Sequence, residues 1–352
     1  MELEDLGYTA FFSSQFADAE LEGCVPARVI EEHRRLWRVR DAVGERTAEV
    51  TGKLYHDAEG KGDLPAVGDW VALRARPGEE RATIVRVLRR KSKFSRKVAG
   101  DVTGEQVVAA NVDTVFVAFS LNRDLNLRRL ERYLAMAWES GAQPVVLLTK
   151  TDLVDDVQAF LAKVDEVTLG SVPVHAVSAR TGEGIDELRA WLQPNRTAVL
   201  LGSSGVGKST IVNSLVGEEL LPTQEVREDD QMGRHTTTHR ELILVPTGGV
   251  VLDTPGIREL QLWDADLEQT FGDIEEIARR CRFSDCAHDQ EPGCAIREAL
   301  AEGVLSRERW LSYQKLQREM EAIEARRNHL LRQERVREYK IRARAQRPKK
   351  KR

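Results

Sequence analysis

A glycine-rich segment, Gly202-Ser-Ser-Gly-Val-Gly-Lys-Ser209, lies between the apolar run TAVLL and the helical pattern STIVNSLVG, which begins at Ser209. A strand, a glycine turn and a helix in that order are typical of phosphate-binding loops. The glycines allow successive backbone N–H groups to point at an anion, and the N-terminus of the helix adds positive potential. This segment therefore predicts an α/β sheet with a phosphate site at the end of one strand.

The same loop carries the groups that a magnesium-bound triphosphate needs. Lys208 can reach the β- and γ-phosphates, and the hydroxyl of Ser209 can bind Mg²⁺. The predicted phosphate contacts are Gly202, Ser203, Ser204, Gly205, Val206, Gly207, Lys208, Ser209 and Thr210. A tight glycine turn without a ligand is the alternative, and the flanking strand and helix favour the phosphate site.

A second short motif, Asp253-Thr-Pro-Gly256, ends a later apolar run. An aspartate in that position can hold Mg²⁺ through water, and the N–H of Gly256 can contact a γ-phosphate. Taken alone, the motif is also an ordinary turn sequence. After a phosphate loop, it predicts the second half of a magnesium and γ-phosphate site, with Asp253 as a magnesium ligand.

A third motif, Thr149-Lys-Thr-Asp152, closes the apolar run PVVLL, and Ser178-Ala179 closes the run VPVHAV. The Asp152 carboxylate can accept hydrogen bonds from N1–H and the 2-amino group of guanine, and adenine has neither of these two donors. Two such bonds, at roughly 1.5 kcal/mol each, would favour GTP over ATP by at least about 100-fold. Lys150 can lie along the base. The predicted base contacts are Thr149, Lys150, Thr151, Asp152, Ser178 and Ala179.

Five short runs of β-forming residues occupy the chain from Cys24 to about Ser95. They are VPARVI, LWRVRD, TAEVTGKLY, DWVALRA and ATIVRVL, with turn sequences at GKGD and RPGEE. Five strands in about 70 residues predict a small barrel of the OB type, a fold that commonly binds oligonucleotides. Other small β-barrels remain possible, and the residues before Cys24 carry no clear period.

Apolar runs of strand length alternate with helical patterns from Val107 to about Glu259. That alternation predicts a mostly parallel sheet with helices on both faces. We therefore expect three domains: a barrel with an N-terminal extension in residues 1–100, a nucleotide domain in 101–262, and a C-terminal domain in 263–352.

The C-terminal segment contains four potential metal ligands within 14 residues, namely Cys281, Cys286, His288 and Cys294. Three thiolates and one imidazole complete a tetrahedral shell for a structural Zn²⁺. Cysteines buried without a metal are the alternative, but this segment is too polar to fold around apolar contacts alone. A helix from about Ser306 to Arg344 follows, and its apolar stripe is expected to pack on the zinc segment rather than form a dimer seam. We therefore expect a monomer.

Charge is distributed unevenly along the 352 residues, whose formal net charge is -4. Residues 332–352 contain 11 Lys and Arg against two Glu, and the island from Arg81 to Lys97 contains eight Lys and Arg without an acid. Such patches on an acidic body indicate a polyanionic partner such as nucleic acid, with solvated charge runs as the alternative. No apolar run approaches the ~18 residues of a membrane span, so we expect a cytoplasmic protein without a membrane partner.

All the elements of a GTP-binding domain are present, but the base-reading motifs at Thr149 and Ser178 precede the phosphate loop at Gly202. The motif order is therefore circularly permuted. With a barrel in front and a cysteine cluster behind, GSSGVGKST, GRHTTTH, DTPG and EPGCA resemble the ribosome small-subunit-dependent GTPase family (RsgA, also called YjeQ) over nearly the whole chain. The resemblance implies a GTPase that binds the small (30S) ribosomal subunit late in its maturation, contacts rRNA and hydrolyses GTP faster on that subunit.

Two positions depart from the commonest GTPase patterns. Ile257 stands where Ras-like enzymes carry a glutamine that positions the attacking water, so another polar group must do so. The family resemblance favours His235, although a loop histidine bound only to backbone is the alternative. Thr149 stands where the commonest motif has asparagine, and its single hydroxyl predicts weaker guanine binding. A GTP-binding, rRNA-associated module without turnover and an ATP-dependent RNA enzyme are the competing functions, and Asp152 argues against the second.

Overall fold

A computed structural model describes residues 2–17, 21–33, 35–74, 81–97, 105–121, 125–221, 241–253 and 267–325. The strands in these ranges are β1 (Val25–His33), β2 (Leu36–Arg40), β3 (Glu45–Val50), β4 (Trp70–Arg74), β5 (Arg81–Val87), β6 (Lys93–Lys97), β7 (Glu105–Ala110), β8 (Thr114–Ser120), β9 (Gln143–Thr149), β10 (Val174–Val177), β11 (Thr197–Leu201), β12 (Glu241–Leu244) and β13 (Val250–Asp253). The helices are α1 (Ala10–Ser13), α2 (Gly52–Asp57), α3 (Leu127–Ser140), α4 (Val157–Thr168), α5 (Ile185–Ala190), α6 (Lys208–Val216), α7 (Leu267–Thr270), α8 (Gly272–Ala278) and α9 (Ala295–Glu302). Residues 307–325 form a further helix, α10.

Strands β1 to β5 close into the predicted barrel. The pairs β1–β2, β2–β3, β4–β5 and β1–β4 are antiparallel, and the parallel pair β3–β5 closes the ring. Its interior is apolar, with Val29, Val39, Ala48, Val71 and Ile84 fully buried. The expectation of an OB-like barrel is therefore confirmed.

The third predicted strand, TAEVTGKLY, is shorter than expected. Strand β3 ends at Val50, and the side chain of Thr51 accepts a hydrogen bond from the backbone N–H of Leu54. This contact caps α2, which begins at Gly52. A threonine cap satisfies a helix N-terminus and outweighs the β preference of the residues that follow.

The nucleotide domain contains the predicted mostly parallel sheet. Its strand order is β10-β9-β8-β11-β13-β12, and β12 is antiparallel to β13 while the other neighbours are parallel. Alternate residues of β8 enter two different cores, with Val115, Val117 and Phe119 in one and Phe116 and Ala118 in the other. Both faces of the sheet are therefore covered, as parallel sheets require.

A fully buried arginine on β1 joins the barrel to the nucleotide sheet. The guanidinium of Arg28 donates to the Thr197 hydroxyl at 2.8 Å, to the Gly68 carbonyl at 3.3 Å and to the Leu6 carbonyl. Burial lowers the pKa of Arg28 to about 10, although Asp113 and Asp69 act in the opposite direction. The unpredicted N-terminal segment and the two domains thus meet at one side chain.

The C-terminal helices are attached to the nucleotide domain through a second buried arginine. The guanidinium of Arg309, on α10, pairs with Asp273 at 2.7 Å and with Glu131 of α3 at 3.0 Å. The side chain of Glu131 is only 3% exposed. The expected helix therefore begins in the predicted place and packs on α3 and α8, while its continuation to Arg344 lies outside the described residues. None of the helices in the described ranges is long and apolar enough to span a bilayer.

Candidate functional site

The predicted phosphate loop follows β11 and leads into α6. Gly202 has a φ of +153° and packs so closely on β8 that a Cβ there would lie 2.5 Å from the Ala118 carbonyl oxygen. Gly207 has a left-handed φ of +96° and caps α6, so glycine is required at both ends of the turn. The Lys208 Nζ donates to the carbonyls of Gly202 at 2.8 Å and Ser203 at 2.6 Å. The ammonium is thereby held across the loop that is expected to carry phosphates.

The base-reading motif meets this loop directly. Thr149 is 3% exposed, and its hydroxyl donates to the Val206 carbonyl at 2.6 Å. The reason lies in the sheet register, because β8 separates β9 from β11 and pairs in parallel with both. Parallel strands place the loops that follow them at one edge. Two motifs 57 residues apart in the chain therefore form a single site.

The structure also brings Asp152 and Ser178 together. The Ser178 hydroxyl donates to Oδ1 of Asp152 at 2.7 Å, and Arg180 lies 3.6 Å from Oδ2. The Asp152 side chain is only 15% exposed, so its orientation is fixed by these neighbours. Lys150 has a left-handed φ of +62°, and the Thr151 hydroxyl donates to a Glu183 carboxylate oxygen at 3.2 Å. The turn after β9 therefore presents a fixed carboxylate beside the end of β10.

The segment that contains Ala179 is attached to the helix after the phosphate loop. The hydroxyl of Ser214, on α6, lies 3.3 Å from the Ala179 carbonyl and 3.0 Å from the Thr210 carbonyl, so its one proton is shared between these two acceptors. The Arg189 guanidinium donates to the Ser214 carbonyl at 2.7 Å. These contacts fix the position of the predicted base-closing segment relative to α6.

Asp253 ends β13, which pairs in parallel with β11. Burial raises the pKa of Asp253, Lys208 lowers it, and Glu241 on the neighbouring strand raises it further, so that the net shift is upward. Because the phosphate loop follows β11, the parallel pairing places Asp253 at the same edge of the sheet as that loop. Gly256 and His235 lie outside the described residues.

The four predicted metal ligands lie together. One ligand atom from each of Cys281, Cys286, His288 and Cys294 falls within 4.8 Å of the others. The Nδ1 atom of His288 is 3.5 Å from the sulfurs of Cys281 and Cys294. Three thiols and an imidazole in this arrangement fit the donor set of a closed zinc shell.

The loop between these ligands is built around Glu291 and Gly293. The Glu291 carboxylate accepts from the backbone N–H groups of Ala287, Asp289 and Gln290 at 3.0 to 3.1 Å. Gly293 has a left-handed φ of +75°. The left-handed conformation of Gly293 thus forms the turn that brings Cys294 to the other ligands.

The thiols of the cluster differ in their acidity. Burial raises the pKa of Cys281, but backbone N–H groups of Ala295 and Ile296 hydrogen-bond to it, and the net shift is downward. Desolvation and the neighbouring thiols Cys294 and Cys281 raise the pKa of Cys286 to about 11. The first thiol is therefore stabilised as thiolate by a helix N-terminus. A bound divalent cation would offset the mutual repulsion of the three cysteine thiolates.

The basic island predicted from the sequence is only partly available to a polyanion. At least three of its cations form ion pairs, namely Arg81 with Glu49, Arg90 with Asp69, and Lys93 with Glu105. In contrast, Arg89 and Lys91 lie 5.8 and 5.9 Å from the ring centre of Phe11, which is 37% exposed. The cation-rich surface is therefore concentrated beside α1.

Two arginines that are not among the predicted site residues, Arg129 and Arg180, also contact the site. Arg129 donates to the Ser203 hydroxyl at 2.5 Å, and Arg180 faces Asp152. Arg129 belongs to no recognisable motif, and only the fold brings it to the site. Arg180, in contrast, directly follows the predicted base contact Ala179.

Replacing Thr149 with valine is expected to weaken binding of both GTP and GDP by about fivefold to tenfold, because it leaves the Val206 carbonyl without its buried donor. The matched control is Thr114→Val at the start of β8, where the buried hydroxyl has no hydrogen-bond partner within the described residues. Titration with fluorescent nucleotide measures both variants. Equal affinities for the two variants would contradict the role assigned to Thr149.

A sequence model of the RsgA GTPase family matches residues 87–263 of the chain. The small ribosomal subunit biogenesis GTPase RsgA of Opitutus terrae is 48% identical over 339 residues, which cover 93% of this chain and 92% of that protein. The small ribosomal subunit biogenesis GTPase RsgA 2 of Lactiplantibacillus plantarum is 48% identical over 298 residues, 85% of this chain and 84% of that protein.

Two solved structures share the fold. YjeQ from Thermotoga maritima superposes with a TM-score of 0.63 at 27% identity, over 84% of this chain and 98% of that one. YloQ, a circularly permuted GTPase, superposes with a TM-score of 0.62 at 23% identity, over 87% and 98%. The family match, the high identity across most of the length and the shared permuted fold show that the chain belongs to the RsgA GTPase family and is a hydrolase acting on GTP.

Proposed function

We propose that this GTPase acts in the late maturation of the small ribosomal subunit, binds that subunit and its rRNA, and hydrolyses GTP to GDP and phosphate faster when bound. The relatives from Opitutus terrae and Lactiplantibacillus plantarum are named small ribosomal subunit biogenesis GTPases, which supports the biological role. The main structural support for a single nucleotide site is the hydrogen bond from the Thr149 hydroxyl to the Val206 carbonyl, because it joins the predicted base-reading motif to the phosphate loop.

Guanine recognition is assigned to Asp152. Its Oδ1 atom accepts a hydrogen bond from the Ser178 hydroxyl. Its Oδ2 atom lies near Arg180, and we propose that the base replaces this arginine as the partner of Oδ2. Lys150 would lie along the base, and the backbone N–H at Ala179 would bind the guanine oxygen. Asp152 would accept from the N1–H and 2-amino donors of guanine, and the N–H at Ala179 would donate to its carbonyl oxygen, and adenine lacks all three of these groups.

The phosphates would occupy the loop from Gly202 to Thr210. Lys208 would contact the β- and γ-phosphates and stabilise the charge that develops during hydrolysis. Ser209 and Asp253 are the groups that would hold Mg²⁺, which would neutralise phosphate charge when bound. A hydroxyl and a carboxylate are the hard oxygen donors that this cation prefers.

The role of positioning the attacking water is assigned to His235, because the side chain of Ile257 has no polar atom that could orient a water molecule. An imidazole can accept a proton or orient a hydrogen bond near neutral pH. Gly256 would contact the γ-phosphate through its N–H. Turnover is therefore expected to be slow until a partner positions the segment that carries the histidine.

The remaining parts of the chain are assigned to the ribosomal partner. The Cys281, Cys286, His288 and Cys294 cluster would hold one structural Zn²⁺, which would keep the short C-terminal helices in register. The surface around Phe11, Arg89 and Lys91 and the basic residues 332–352 would contact rRNA phosphates and bases. Within this proposal the chain divides into a barrel (1–100), a GTPase domain (101–262) and a zinc-binding helical domain (263–352), and it acts as a monomer.

GTP turnover is expected to rise when purified small ribosomal subunits are added and to stay at its basal rate with large subunits. His235→Ala should lose at least about tenfold of the stimulated rate, since a positioned acid–base group contributes that much or more. The matched control, His239→Ala in the same segment, should retain it. Equal rates with both kinds of subunit would overturn the proposed partner, and full stimulation in His235→Ala would overturn the histidine assignment.

Native mass spectrometry of the full chain is expected to find one Zn²⁺ per molecule. Cys286→Ser removes one thiolate ligand and should lose the metal and lower the thermal unfolding midpoint, because structural zinc contributes directly to folding. Cys24, which lies outside the cluster, provides the control, and Cys24→Ser should keep one Zn²⁺. A wild-type chain that purifies without metal and keeps its stability in chelator would contradict the zinc assignment.

A further inference from the structure

Arg129 lies in the first turn of α3, outside every motif that the sequence analysis identified. The side chain of Asn126 caps this helix by accepting from the backbone N–H of Arg129 at 3.0 Å. Helix α3 follows β8, which lies between β9 and β11 in the sheet. The start of α3 is therefore at the same edge as the base-reading and phosphate loops.

The side chain of Arg129 contacts the phosphate loop directly. Its Nη1 atom donates to the Ser203 hydroxyl at 2.5 Å, in a partly buried position. The Lys208 Nζ donates to the carbonyl of the same serine at 2.6 Å. Two cations thus bind different atoms of one residue in the loop, and the guanidinium and the ammonium are positioned relative to each other through Ser203.

The helix that carries Arg129 is itself anchored on the C-terminal domain. Glu131 pairs with Arg309 at 3.0 Å, and Arg132 pairs with Glu319 at 2.8 Å. A side chain that starts from such a fixed helix can hold its partner in a defined place. The contact with Ser203 is therefore part of a rigid support for the phosphate loop.

We propose that Arg129 is a positioning residue of the GTP site that favours the triphosphate over the diphosphate. It holds Ser203, and with it the Lys208 ammonium, in the arrangement that receives the β- and γ-phosphates. It also adds the positive charge of a guanidinium at the phosphate end of the site. Attraction to that charge increases with the charge of the ligand, so GTP gains more than GDP. This inference rests on the proposed assignment of the phosphate loop as the GTP site.

The test is the ratio of affinities for a nonhydrolysable GTP analogue and for GDP, measured by competition against fluorescent GDP. Arg129→Met is expected to lower this ratio about tenfold, because the charge that favours the triphosphate is lost together with the support of Ser203. Arg129→Lys keeps the charge and should recover part of the loss. The matched control is Arg128→Met, because Arg128 is exposed and adjacent to Arg129 in the chain. In turnover assays Arg129→Met should raise KM for GTP and also lower kcat, because the Lys208 ammonium that Arg129 helps to hold stabilises the charge that develops during hydrolysis.

Ser203→Ala provides a second route to the same contact, because it removes the acceptor and leaves the arginine in place. If Arg129 acts partly through Ser203, the double variant loses less than the sum of the two single losses. Additive losses, or an equal loss of GTP and GDP affinity accompanied by a lower thermal midpoint, would overturn the proposal. A wild-type chain that binds neither nucleotide would instead refute the site assignment, so the two failures are distinguishable.

Discussion

The whole site depends on three neighbouring parallel strands, β9, β8 and β11. Because they run in the same direction, the loops that follow Thr149, Ser120 and Leu201 emerge at one edge of the sheet. The hydrogen bond from the Thr149 hydroxyl to the Val206 carbonyl then links two of these loops. The order of the motifs along the chain has no influence on this geometry. A circularly permuted sequence can therefore build the same nucleotide site, provided that the strand order in the sheet is kept.

Two buried arginines connect the flanking parts of the chain to that sheet, and they do so in different ways. Arg28 is surrounded mainly by carbonyl and hydroxyl oxygens, so burial dominates and lowers its pKa. Arg309 is instead paired with the carboxylates of Asp273 and Glu131. A buried ion is tolerated only when its hydrogen bonds are satisfied. Each arginine therefore favours one placement of its neighbours, and displacement of either would leave charges buried without partners.

The parts of the fold that follow local rules could be predicted from the sequence. Helix α3 belongs to the predicted alternation of strands and helices, and it is recognisable because its apolar period is strong and Gly141 ends it. The five barrel strands and the cysteine cluster were also recognisable, since alternation and ligand spacing are local signals. The predicted strand was longer than β3, because the contact between Thr51 and Leu54 that caps α2 lies within a run of β-forming residues and cannot be recognised there.

The contacts that tertiary structure creates could not be predicted. Arg28, Arg129 and Arg309 acquire their roles from the partners Thr197, Ser203 and Glu131, which lie 74 to 178 positions away in the chain. No periodicity or motif marks such pairs in a single sequence. The sequence shows that Thr149 replaces the usual asparagine, but it does not show that the threonine hydroxyl donates to the Val206 carbonyl. The assignments of Gly256 and His235 stay predictions.

The central claim is that Asp152 reads the base of the same nucleotide whose phosphates lie in the loop around Lys208. The most direct test is the base preference of Asp152→Asn, with the exposed Asp155→Asn as control. The Ser178 hydroxyl would still bind the side-chain oxygen at position 152, leaving the amide nitrogen to face the base. We predict a loss of at least about 100-fold in GTP affinity and a gain for xanthosine triphosphate, whose base carries an oxygen in place of the guanine amine. Unchanged GTP affinity, with no gain for xanthosine triphosphate, would contradict the account.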